Sequence, residues 1–534
     1  MRYVVRIASQ FCGALYLSFL LVSCGSVGDR NYLRDPALSE TGVEPAEPVV
    51  WYSLNQAYLA EFSAQQGGFA KVYVSTKEPY ELQLRRWGVN MTLVWSGGPY
   101  EGAEQVLPAD APWANSLNWK NPVAVPIDED YPSGWYQLTV KYASGGVTAL
   151  QFVVTEDDPG SASSILVLDN ATTRAAYNNF GGRSVYTFNS LDEIKAPVVN
   201  LRRPGQNIIK LPQKNFLRWA DYAEIQVEWA SSMDLHHNPD LLDNYSTLML
   251  VEHSEYWSKE MRDALDEFLA NGGNLISMSG NTMWWQIRIE DDQMIAYKWA
   301  GADPLNGVQN ELVTTNFCEA PVNDPENRTI GVSFLNGGYH NSDGFYMASQ
   351  GYGGYDVTNQ SHPLFAGTGL QNGETFGKES TIVGYEADGA LFTMVDGVPV
   401  VTGEDGTPPT MEILATAPAA TPQWEGTATF VAGEVGENGG QVINMATVDW
   451  ADGLWDSKNK RLADPLVSKI TLNAIAATSP GMGAECPTDS CHSNYNDADG
   501  DLIDDKCDTC VLVYGSNLDS DYDGTGDVCE MPDI

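Results

Sequence analysis

A chain of 534 residues that is 43% apolar and 10% aromatic has room for roughly two to four domains with substantial cores, which excludes an intrinsically disordered protein. Its 71 acidic residues against 29 basic ones leave a net charge of −42, which excludes nucleic acid as a partner and fits an exported surface or calcium.

Residues 1–24 have the layout of a bacterial secretory signal: Arg2 and Arg6 precede an apolar stretch from Phe11 to Val22. Leu21-Val22-Ser23-Cys24 supplies the residues of a lipobox. The expectation is a cell-envelope protein held on a membrane leaflet by lipid at Cys24, with an ordinary cleaved signal as the alternative. Residues 25–50 are polar and broken by Pro and Gly, and read as a linker.

Residues 51–158 carry short alternating runs between turn signals, FAKVYVST, YELQLRRWG, NMTLVWSG, WYQLTVKY and TALQFVVT, the pattern of an Ig-like β-sandwich. Period-2 alternation puts Tyr136, Leu138, Val140 and Tyr142 on one face. Residues 163–476 change to an α/β grammar. SSILVLDN, TLMLVEH and NLISMSGN are β-branched or apolar runs. Between the last two, Met261, Ala264, Leu265, Phe268 and Leu269 recur at helical spacing, with Ser258 as cap and Gly272-Gly273 as stop. A strand-helix-strand unit of this kind predicts parallel strands, whose carboxyl ends gather ligands. Tyr177, the pair His253 and Glu255, and Ser279-Gly280-Asn281 sit at such ends, and Asn281 and Arg288 are candidates for a pocket wall.

No G-x-S-x-G elbow and no H-E-x-x-H zinc motif is present, and Cys318 follows no strand-turn signature. What remains are oxygen donors beside one histidine, a set suited to a hard cation such as ferric iron, which polarises carbonyls and lowers the pKa of water. Read singly, Tyr136 is a sandwich-core tyrosine, Tyr177 a loop aromatic, Glu255 an acid near a helix start and His253 a hydrogen-bonded structural histidine.

The run Ala176-Tyr177-Asn178-Asn179-Phe180-Gly181-Gly182-Arg183-Ser184-Val185-Tyr186 resembles the large-subunit domain of the N,N-dimethylformamidase family. So do Asp234-Leu235-His236, the H-x-E-Y-W-S block at 253–258, Ser279-Gly280-Asn281, HPLFAGTGL and VGYEAD. The resemblance implies a sandwich packed on an α/β domain like that of class I glutamine amidotransferases. It also implies a mononuclear iron, held here by Tyr136, Tyr177 and Glu255, with His253 and Asn281 as catalytic groups. The implied function is hydrolysis of amide or formamide C–N bonds of a small substrate, with a homo-oligomer or a small partner subunit. A non-catalytic surface binding or adhesion protein on the same fold is the alternative. Where the family has Ser-Gly before the histidine, this chain has Val251-Glu252, which puts the substrate in doubt.

Residues 485–534 hold fourteen acids and one Lys. Asp497, Asp499, Asp501, Asp505 and Asp508 stand at positions 1, 3, 5, 9 and 12 of one loop, and Asp519, Asp521, Asp523, Asp527 and Glu530 repeat that spacing. The pattern predicts two oxygen cages for calcium. With Cys507, Cys510 and Cys529 interleaved, the tail resembles thrombospondin type 3 repeats, a likeness that implies pairing of Cys486 with Cys507 and of Cys510 with Cys529. Cys318 and Cys491 are left without an assigned partner.

Overall fold

The structure, a computed structural model, describes residues 55–205, 211–339, 353–420, 425–435 and 439–479. The signal, Cys24, the whole linker and the whole acidic tail with its ten expected calcium positions lie outside the described residues, as do the cysteines from Cys486 onward. Among the described residues no helix is long and apolar enough to cross a membrane.

All five alternating runs of the first region are strands: Phe69–Ser75, Tyr80–Arg86, Thr92–Tyr100, Gly134–Tyr142 and Val147–Thr155. They divide between a three-stranded and a five-stranded sheet whose inner faces share one core. Tyr136, Leu138, Val140 and Tyr142 all lie in that core, as the alternation requires. The opposite face of the same strand is buried too, because Trp135 joins Trp87, Phe216 and Trp229 in the core of the second unit.

The second unit is a mixed sheet of eleven strands. Its first half is parallel, in the order Glu228–Ser231, Ile165–Asp169, Thr247–His253, Asn274–Gly280 and Gly440–Asn444. From there the sheet turns antiparallel through Glu425–Val435 and Glu412–Ala420. Every residue of Thr247–His253 is buried, as expected for a central parallel strand covered on both faces. The helix Lys259–Ala270 starts on Ser258, whose hydroxyl accepts from the Met261 N–H at 3.3 Å, and ends before Gly272 at φ +92°. His236 reinforces this cap: its Nδ1 is 2.8 Å from the Ser258 hydroxyl, and its bond to Glu260 holds that carboxyl down at about 2.

The parallel pairing sets Val251 beside Met278 and His253 beside Gly280, so adjacent strands finish at the same level. That shared edge carries the polar residues considered next.

Candidate functional site

The loop VEHSEYWS leaves its strand at His253 and is fastened on both sides. Thr173, on the helix Ala171–Tyr177 that follows the Ile165–Asp169 strand, accepts from the backbone N–H groups of Glu255 and Tyr256 at 3.0 and 3.2 Å. On the other side the Ser254 N–H reaches the Ser279 hydroxyl at 3.2 Å, and the Met283 N–H reaches the Ser254 carbonyl at 2.8 Å. Glu255 and Tyr177 are thereby fixed by one helix.

The Tyr177 hydroxyl donates to Glu255 Oε2 at 2.9 Å. The Tyr186 hydroxyl lies 2.9 Å from that of Tyr177 and 2.8 and 2.9 Å from the two Glu255 oxygens. The two rings stack with centroids 4.4 Å apart. His253, fully buried, brings Nε2 to 2.7 Å from Glu386 Oε2 and 3.3 Å from Glu255 Oε2. Lys298, 5% exposed, holds its ammonium 3.7 Å from the Tyr186 ring centroid and 4.4 Å from that of Trp285.

This concentration of acidic groups out of water shifts their ionisation. Burial pushes the Glu255 carboxyl up, and Glu386 adds to that against the opposing pull of His253 and Lys298. Burial and then the Glu255 charge push both phenols well above their ordinary range. Beneath the loop, Asp388 accepts from the Asn281 and Thr282 N–H groups at 2.8 and 3.2 Å, and burial raises its carboxyl to about 8.

Backbone strain collects at the same edge. Glu252 (φ +71°), Asn281 (+50°), Met283 (+53°), Lys298 (+60°) and Ala446 (+57°) are left-handed non-glycine residues, most of them at or just past parallel-strand ends. Such conformations persist where surrounding structure imposes them, which is common at functional sites.

Among the described residues no group of three or more His, Cys, Asp or Glu side chains has the arrangement of a metal site. The convergent oxygens here are instead two phenols and one carboxylate. Oxygens on one face of an octahedron around an ion at about 2.0–2.1 Å stand about 2.9 Å apart, so this trio has the spacing of a facial ligand set.

The structure brings Tyr177, His253 and Glu255 together and sets Asn281 at the end of the adjacent strand; it does not bring Tyr136. The Tyr136 ring lies in the sandwich core between Tyr131 and Phe152, and its hydroxyl donates to the Pro132 carbonyl at 2.8 Å. That expectation is corrected: an inward position in the sandwich points the phenol into apolar packing, and Tyr186 is the tyrosine beside Tyr177. Arg288 is likewise engaged elsewhere, 2.6 Å from Asp303 and donating to the Leu312 carbonyl at 2.7 Å. Sequence reasoning missed Tyr186, Glu386 and Lys298. Tyr186 closes the Ala176–Tyr186 motif, and Glu386 lies inside VGYEAD, so both were visible as motif members without a role.

A family model described as N,N-dimethylformamidase beta subunit-like, C-terminal, matches residues 81–461. The N,N-dimethylformamidase beta subunit of Paracoccus aminophilus is 28% identical over 105 residues, 18% of this chain and 14% of that protein. The beta subunit from Alcaligenes sp is 27% identical over 105 residues with the same coverage. The chain thus aligns with only 14% of the length of these curated relatives.

Proposed function

The chain belongs to the N,N-dimethylformamidase beta subunit-like family, and from that premise we propose that it is an iron-dependent hydrolase of amide or formamide C–N bonds in small substrates. The observation that carries the reading is the convergence of the Tyr177, Tyr186 and Glu255 oxygens beside the His253–Glu386 pair.

Tyr177, Tyr186 and Glu255 would hold the ion, which when bound supplies a Lewis acid toward the substrate carbonyl and water. The remaining chemistry belongs to the chain. Lys298 sets a cation over the Tyr186 ring, against the burial and the Glu255 charge that favour the protonated phenol. His253 and Glu386 accept the proton that leaves the attacking water and return it to the departing amine, so one O–H and the C–N bond break while a C–O and an N–H bond form. Asn281, 4% exposed and with no hydrogen-bond partner for Oδ1 among the described residues, offers its amide to the substrate. The apolar, aromatic surround of Tyr256, Trp285 and Phe188 restricts water.

Purified protein should contain close to stoichiometric iron, absorb visibly through phenolate-to-iron charge transfer, and hydrolyse N,N-dimethylformamide or another small amide. Folded protein that takes up no iron and turns over no amide defeats the reading.

The same proposal extends to export, lipid attachment at Cys24 and calcium in the acidic tail, all outside the described residues. Mass spectrometry of the amino terminus and calcium-dependent proteolysis of residues 485–534 test these parts. The two relatives' names support looking for a second subunit in the native assembly.

A further inference from the structure

The segment carrying both tyrosines is gripped from behind by an arginine. Arg203 is fully buried, and its guanidinium donates to the Ala175 carbonyl at 3.3 Å, the Asn178 carbonyl at 2.7 Å and the Trp113 carbonyl at 2.5 Å. Burial alone, with no carboxylate offsetting it among the described residues, pulls the guanidinium down to about 9. Ala175 and Asn178 bracket Tyr177 at the carboxyl end of a helix, where the Ala175 carbonyl also takes the capping Asn178 N–H at 3.3 Å and a cation is favoured. Trp113 belongs to the first region, between its Thr92–Tyr100 and Val123–Pro126 strands.

Several neighbours tighten the same grip. The Asn200 N–H also donates to the Trp113 carbonyl, at 2.8 Å, and the Arg183 guanidinium lies 4.6 Å from the Trp113 ring centroid. The Asn178 side chain donates to the Pro204 carbonyl at 2.9 Å and accepts from the Phe180 N–H at 3.0 Å. A Cβ on Gly181 would stand 2.6 Å from the Trp113 nitrogen, and one on Gly205 2.5 Å from Asn178 Oδ1; both glycines have left-handed φ. Gly181 of the tyrosine motif therefore admits the Trp113 backbone against the loop.

We propose that Arg203 is a positioning residue for the tyrosine loop, clamping the backbone on either side of Tyr177 to Trp113 of the first region. That region contributes no oxygen to the trio but sets where Tyr177 stands relative to Glu255. A guanidinium is needed because its planar fork reaches three carbonyls at once, which a lysine ammonium on a shorter head cannot. The consequence for metal binding rests on the reading of Tyr177 and Tyr186 as ligands, whereas the clamp itself does not.

Arg203→Lys and Arg183→Ala, each in the full chain, test this by iron titration, the phenolate absorption band and amide hydrogen exchange over residues 175–186. For Arg203→Lys we expect about 10- to 100-fold weaker iron affinity, the range typical of outer-shell partners, with a shifted band and faster exchange in that segment. Arg183→Ala, whose side chain is partly exposed, should change all three in the same direction by a few-fold. Wild-type affinity, band and exchange in a folded Arg203→Lys overturn the proposal; should that variant not fold, the same result in Arg183→Ala overturns it. If the wild type carries no iron, the ligand reading falls, and exchange alone decides the clamp: faster exchange keeps it, and unchanged exchange ends it.

Discussion

Tyr136 and Tyr186 are both buried, and burial pushes both phenols upward, yet they sit in different chemistry. The Tyr136 hydroxyl meets one backbone carbonyl in an apolar sandwich; the Tyr186 hydroxyl meets a second phenol and both oxygens of a carboxylate. Burial alone therefore does not mark a ligand. What sets Tyr186 apart is a cluster of acidic oxygens in contacts of 2.9 Å or less, with the Lys298 ammonium over its ring.

The largest expected effect separates these two residues directly. Tyr186→Phe should weaken iron binding and turnover by more than about 100-fold, beyond the range of an outer-shell change. Tyr136→Phe should leave both intact and lower stability by about 1 kcal/mol, the worth of one hydrogen bond. Equal effects in iron titration and thermal unfolding would erase the contrast. A smaller effect sharpens the division of labour inside the site. Glu386→Gln should lower turnover by about 10- to 100-fold at unchanged iron content, because it disturbs the partner of His253 and not the oxygen trio. Loss of iron in this variant would make Glu386 a ligand.

The smallest effect contrasts the site with a buried acid outside the oxygen trio. Glu326, fully buried with Ser333 as its hydroxyl partner, has its carboxyl pushed by burial from 4.5 to about 7. Its folded value lies above the unfolded one, so its stabilising contribution is complete below about pH 4.5 and is lost as pH rises through about 7. Glu326→Gln should therefore gain in stability relative to the wild type between pH 5 and 8, with no change in iron affinity. Denaturant midpoints that differ by the same amount across that range would contradict the shift.

Much of the fold was legible because its elements obey strong periodicities. The alternating sandwich runs and the apolar runs ending at Asp169, His253 and Gly280 are strands, and the Ser258 cap and Gly272 stop bound a helix as read. The antiparallel half was not legible. EILATAPAA and EGTATFVAGEV are rich in Ala, Gly and Thr, with a proline in the first, and carry little strand propensity outside their sheet. Within the site, His253 and Glu255 could be read because a strand end places them together. Glu386 could not, since only tertiary closure brings VGYEAD to His253. Tyr186 stood in plain view as the last residue of its motif, whereas Tyr136 entered the expected ligand set through the family resemblance alone, against an inward strand position that by itself reads as core packing.

Glu252 shows how such a site can drift. The position before His253 is left-handed, a conformation that suits glycine and costs another residue about 1–2 kcal/mol. Glu252 nonetheless sets a buried carboxyl there, and it bears on Asp452, whose carboxyl is raised to about 6 chiefly by burial. Glu252→Gly would relieve that backbone strain and at the same time remove the carboxyl that bears on Asp452, so one position links folding robustness to the charge balance behind the strand end.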